Sequence, residues 1–293
     1  FDWGDVVDWM RDGGGWATAR HRAAEGMALA VAGVAGPSGD DLRTEAQRFR
    51  RARRLVAGED LLGWLGHWGV SEEEWVDWLD RTLRRRARTR SPGPAQVADE
   101  QATWVEAVCS GDLEEAATSL ARALGAWGER TGGAPLPEDG RFEAVRRAAE
   151  ALEQAPVPSD ELERALATNA AAWVQVAIEW ADFGSPDAAR EAVAAVRVDG
   201  LALAAVAELA RVEREDAVVR AEELDGPTRA FALSAPLDRP VVVGGPGQAG
   251  VVAVVRARRH PSPGDPDDEE LARVACVRAR TQGAVDRWVT WYG

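Results

Sequence analysis

The sequence predicts an α+β protein: a helical first half, then a small, mainly antiparallel sheet, then a helical tail. Three observations carry this. Apolar residues recur at helical spacing through the first ~160 residues. Strand signals begin only after Ala170: period-two alternation in Trp173–Ile178, a short strand at Ala217–Ala221, and a hairpin formed by 240–243 and 251–255. Proline and glycine punctuate the chain between these stretches. Helices segregated from a small sheet are the pattern of an α+β chain. With 293 residues, 46% of them hydrophobic and 29% charged, the chain is long enough for about two domains and has an ordinary globular balance. The expected division is a helical region over 1–165, a sheet domain over 170–260, and a loop and helix over 261–293 that docks back on the helical region.

Each element follows from local signals. Trp3, Val6, Val7 and Met10 mark a first helix, which Gly13-Gly14-Gly15 interrupts. A second runs from about Trp16 to Val34 and stops at Gly36-Pro37. Ser38 and Asp41 cap the next, whose face is Leu42, Ala46 and Phe49. The clearest unit is 59–86. Leu61, Trp64, Leu65 and Trp68 form one apolar stripe, and Gly69 ends it. Ser71 and Glu74 then form a capping box, with Val70 and Trp75 as its hydrophobic staple. Ser91-Pro92-Gly93-Pro94 is a break. Helices are expected at 97–109, 112–127, 142–154 and 160–167. In the second half, Ser185-Pro186 opens a helix that Asp199-Gly200 closes. A helix over 201–211, a strand over 217–221 and a short helix over 227–234 follow. Gly244–Gly250 is read as the turn of a hairpin between 240–243 and 251–255. A helix over 268–282 comes after the loop HPSPGDP, and Val285–Tyr292 is either a strand or a docked helical turn.

Composition limits function. The net charge is −14 and every one of the 35 basic residues is arginine, so a global cationic footprint for nucleic acid is absent. The longest apolar run, Met27–Gly36, is far below the roughly 20 residues of a membrane span. No signal peptide is visible, which reads as cytoplasmic, with an exported mature form left open. Cys109 and Cys276 make no CxxC pair or metal box; both are read as buried packing residues, and a bridge between them is left open. His21, His67 and His260 have no metal-ligand spacing. GGPGQAG at 244–250 lacks the Lys-Ser/Thr of a phosphate loop. No cofactor and no metal are expected.

The element order β–α–α–β–α–β–β resembles the parvulin-type peptidyl-prolyl isomerase domain. The pieces that carry the likeness are WVQVAI (173–178), PDAAREAVAAVRVDG (186–200), LALAAVAELA (201–210), AVVRA (217–221), TRAFALSAPLDRPV (228–241) and GVVAVVRARR (250–259). The stretch 40–79 is similar to the helical chaperone region of SurA-like foldases, and PpiC-related proteins of peptide maturation have a similar architecture. The resemblance implies a histidine on the first strand and another on the last. Here those stretches read Val176-Ala177-Ile178-Glu179 and Gly250-Val251-Val252-Ala253. The scaffold is therefore expected without its isomerase chemistry.

Two sets of residues are candidates for peptide contact. Phe231, Leu233 and Val252, with Trp180 and Phe183 at the rim, form either a residual apolar pocket or plain core. Such a pocket would hold extended peptide by apolar contact and strand addition. Arginines crowd two helices: Arg48, Arg50, Arg51, Arg53 and Arg54 on one, and Arg81, Arg84, Arg85, Arg86, Arg88 and Arg90 on the other. They either receive an acidic peptide, with Arg50 and Arg54 as the named contacts, or pair with nearby carboxylates. The expected function is a non-catalytic, foldase-like protein that holds an unfolded polypeptide or precursor peptide for a maturation enzyme. The alternatives are an active prolyl isomerase and a peptide-modifying enzyme using His67 or His260.

Overall fold

The computed structural model describes residues 1–87, 97–243 and 250–292. The break at Ser91–Pro94, Arg88, Arg90 and most of the glycine-rich turn lie outside them. The chain is mixed α+β and divides into two units, Phe1–Ala155 with Arg280–Gly293, and Pro156–Ala279.

The first unit contains α1 (Trp3–Asp12), α2 (Gly15–Val31), α3 (Gly39–Ala52), α4 (Gly58–Trp68), α5 (Glu72–Ala87), α6 (Glu100–Ser110), α7 (Asp112–Thr131) and α8 (Arg141–Glu153). The expected caps are present. Ser38 accepts from the Asp41 amide, and the Asp41 carboxylate accepts from the Ser38 amide. Ser71 Oγ likewise accepts from the Glu74 amide at 3.2 Å, while the Glu74 carboxylate takes the Ser71 amide at 2.7 Å. Val70 and Trp75 are both buried in the same core. That core is aromatic: Phe49 meets Trp64 edge-on at 5.3 Å and packs against Trp75 and Trp78 at 5.6 Å. Most of the tryptophans of this half serve packing, as their helical spacing predicts.

The helix α13 (Pro266–Trp288) is longer than the expected 268–282. Gly283 costs about 1 kcal/mol inside a helix, but tertiary packing overrides that preference. In the first unit, the last turns of α13 lie so close to α7 that a Cβ at Gly125 would meet the Val285 amide at 2.8 Å. One at Gly128 would overlap the Trp288 ring at 2.4 Å. The strand alternative for 285–292 is thus replaced by helix through Trp288 and an irregular end.

The second unit contains α9 (Ser159–Thr168), β1 (Gln175–Asp182), α10 (Pro186–Val198), α11 (Leu203–Ala210), β2 (Arg214–Arg220), α12 (Gly226–Ser234), β3 (Pro240–Val243), β4 (Val251–Arg259) and the first part of α13. So α9, expected in the helical region, belongs here. Ala272 of α13 packs with Leu166 and Trp173, which is where that part of the tail sits. The strands form one antiparallel sheet in the order β2-β1-β4-β3. Strand alternation splits its two faces. Val252 and Val254 meet α10 and α11 through Ala189, Ala192, Leu203 and Val206. Val176, Ile178, Ala253 and Val255 form the other face, with Ala232 of α12. At the start of β4 the Gly250 carbonyl accepts from the Phe183 amide at 2.9 Å. A Cβ at Gly250 would fall 1.9 Å from the Ser185 carbonyl oxygen, so only glycine fits that approach.

Candidate functional site

A groove of about 970 Å³ opens on the α12 face of the sheet. Its floor follows from register. Ile178 and Trp180 of β1 are two apart and share a face, and Trp180 pairs with Ala253 on β4. From α12, Pro227, Thr228 and Phe231 share one helical stripe and form a wall with Leu224. The third side is β3, a sheet edge among the described residues, with Val242 exposed. The polar groups are few. Asp225 caps α12 by accepting from the Thr228 amide at 2.9 Å and the Thr228 hydroxyl at 3.0 Å. The amide bond first, and the hydroxyl bond after it, hold the Asp225 carboxyl below its usual range, so it stays a carboxylate at neutral pH.

Of the expected peptide contacts, the groove contains Trp180 and Phe231. The other three are elsewhere. Val252 is one residue out of phase and is buried against α10 and α11 on the opposite face. Phe183 packs against that same opposite cluster. Leu233 packs in the core beneath α12 but does not line the groove, because two residues advance a helix by about 200° and turn it away from Phe231. Residue reading missed Val219, Leu224, Val241 and Val243. The period-two pattern of β1 was the available signal, since it places Val176, Ile178 and Trp180 together, and their register partners complete the floor.

The residue between them has a different task. Glu179 is buried on the other face, and accepts from Arg256 Nε at 2.8 Å and Arg214 Nη1 at 3.2 Å. Arg256 also reaches Asp238 at 3.0 Å. An unpaired buried carboxylate would cost several kcal/mol, so this bracket fixes three strands rather than offering a reactive group.

The described arginines of the helical clusters are mostly committed. Arg50 donates to the Leu55 and Val56 carbonyls at 3.1 and 2.6 Å and so closes its own loop. Arg53 donates to the Cys109 carbonyl and stacks over Phe49. Arg48 and Arg86 pair with Glu45, Arg84 with Asp80 and Arg85 with Glu106. Arg54 is exposed, and it borders a shallow pocket of about 440 Å³ with Arg50, Arg51, Leu55 and Val56. Neither cysteine forms a disulfide, and both are buried. Burial pushes the Cys109 thiol up to about 12, so it is no nucleophile at neutral pH. His21, His67 and His260 are exposed, and none of them lines the groove. Among the described residues no group of side chains has metal-ligand geometry, and no helix is long and apolar enough to cross a membrane.

No protein-family model, curated protein or solved structure matches this chain.

Proposed function

We propose that the second unit is a parvulin-like scaffold that binds extended, apolar polypeptide segments without acting on them. The observation that carries this reading is the groove's chemistry. Trp180, Phe231, Ile178 and Leu224 offer a broad apolar surface, and among the described residues its carboxylate and hydroxyl, Asp225 and Thr228, are bonded to each other. Such a surface holds side chains by area, at about 25 cal/mol for each Å² covered. The adjoining strand β3 is a sheet edge among the described residues, along which a peptide strand can add. Support for the scaffold comes from the order β1-α10-α11-β2-α12-β3-β4, the order that the resemblance implies.

The protein then serves as a holder of unfolded chain or precursor peptide. It keeps apolar segments covered and delivers them to a maturation enzyme. Among the described residues no imidazole or thiol lines the groove, and Asp225 and Thr228 are bonded to each other, so on this reading a bound peptide leaves chemically unchanged. A photo-crosslinking residue tests the location. p-Benzoylphenylalanine at Val242 should capture an apolar, proline-containing peptide on irradiation. The same residue at Leu209, exposed on α11, should not. Equal capture at both positions, or at neither, removes the groove as the binding surface.

A further inference from the structure

A second cavity, of about 480 Å³, lies within the helical unit between α2, α3, α5 and α6. Its chemistry is the reverse of the groove's. Five arginines line it (Arg22, Arg48, Arg53, Arg85 and Arg86) against three glutamates (Glu25, Glu45 and Glu106). Among the lining residues this is an excess of two positive charges, which the ion pair of Arg22 with Asp112 just outside reduces to one, in a chain whose net charge is −14. Phe49 and Trp78 supply apolar wall.

The internal pairing of these groups is incomplete. Glu106 is buried, and its Oε1 takes Arg85 Nη2 at 2.9 Å and lies 3.3 Å from Arg22 Nε. Its Oε2 has no hydrogen-bond partner. Arg22 Nε, Arg53 Nε, Arg85 Nη1 and Trp78 Nε1 have none either. These five atoms are half of the ten buried, unsatisfied side-chain atoms among the described residues, and all five belong to residues that line this one cavity. Folded proteins leave few such groups, because each costs about 1–3 kcal/mol. Three orphan donors, beside an Arg22 Nε held only by its ion pair with Glu106, against one orphan acceptor ask for a ligand made mostly of acceptors. Guanidinium forks suit carboxylate and phosphate oxygens, and the volume is that of a small-molecule site.

We infer that this cavity binds a small molecule bearing an oxyanion, phosphate or carboxylate, whose apolar body rests on Phe49 and Trp78. Arg85 and Arg53 take the oxyanion from within. Arg48 and Arg86, with side chains 67% and 54% exposed, stand at the mouth, where Glu45 holds them until an anion arrives. The site is independent of the peptide groove and makes no use of it.

Calorimetric titration of the full chain with phenyl phosphate, phenylacetate and benzylamine tests this. One or both anions should bind one-to-one, and the cation should not. The tighter anion identifies the head group. Arg85→Lys, which keeps the charge but loses the fork, should weaken binding by about tenfold or more. Because Arg85 also pairs with buried Glu106, Arg86→Gln at the mouth serves as a milder variant. It should weaken binding severalfold with the melting temperature unchanged. The inference is overturned if neither anion binds at about 10 mM, a level that already detects very weak complexes. It is equally overturned if benzylamine binds as well as the anions do, or if the folded arginine variants bind as well as the parent.

Discussion

Replacing Trp180 by alanine is the most informative perturbation of the groove. A tryptophan covers about 150–250 Å² when fully buried, and Trp180 is only partly covered in the free protein, which leaves roughly 70 Å² for a bound peptide. At about 25 cal/mol/Å² this is about 1.8 kcal/mol. With a decade of affinity per 1.4 kcal/mol, the ceiling is about 20-fold, and incomplete coverage brings the expected loss to about fivefold to tenfold. The assay is fluorescence anisotropy of a labelled apolar, proline-containing peptide, with circular dichroism melting to establish that the variant is folded. Phe183→Ala is the matched control. It removes an aromatic ring three residues away that packs on the opposite face of the sheet, so it costs stability and leaves peptide affinity as it was. If Trp180→Ala binds like the parent, or if Phe183→Ala weakens binding as much, the assignment of the peptide to the α12 face is wrong.

Three further outcomes follow from the packing. Ser71→Ala removes the cap of α5 and should lower stability by about 1 kcal/mol in denaturant unfolding. Gly250→Ala forces a Cβ into the Ser185 carbonyl and should cost about 2–3 kcal/mol, whereas Gly63→Ala, whose Cβ meets nothing within 4 Å, should be neutral or stabilising. Cys109 should resist iodoacetamide in the folded protein and react once unfolded. Burial raises its folded pKa above the unfolded value, so the stabilisation from keeping it a thiol is full below about pH 9 and is lost as pH rises toward about 12. Cys109→Ala should flatten that alkaline decline, as followed by chemical denaturation across the range.

Much of the fold was legible because its signals are local. Ser38 with Asp41, Ser71 with Glu74, and Ser185 ahead of Pro186 each set a helix start through side-chain to backbone bonds within a few residues. The order of the seven elements in the sheet unit was legible too, since period-two stretches alternate with helical ones. What failed depended on distant partners. Gly283 reads as a helix end until Trp288 is seen packed against Gly128. Val252 and Phe183 looked like pocket residues because the phase of a strand, unlike its presence, is set by what covers each face. The partners of Arg50 were not legible because they are backbone carbonyls, which every sequence contains.

The groove is proposed to grip a chain without turning over its prolyl bonds. Two-dimensional exchange NMR on a proline-containing apolar peptide measures both properties in one tube. The account predicts line broadening and shifts that report binding. It also predicts a cis–trans rate that stays at the uncatalysed value, tens to hundreds of seconds per event. A clear acceleration of exchange that Trp180→Ala abolishes would contradict it and make the groove an isomerase site.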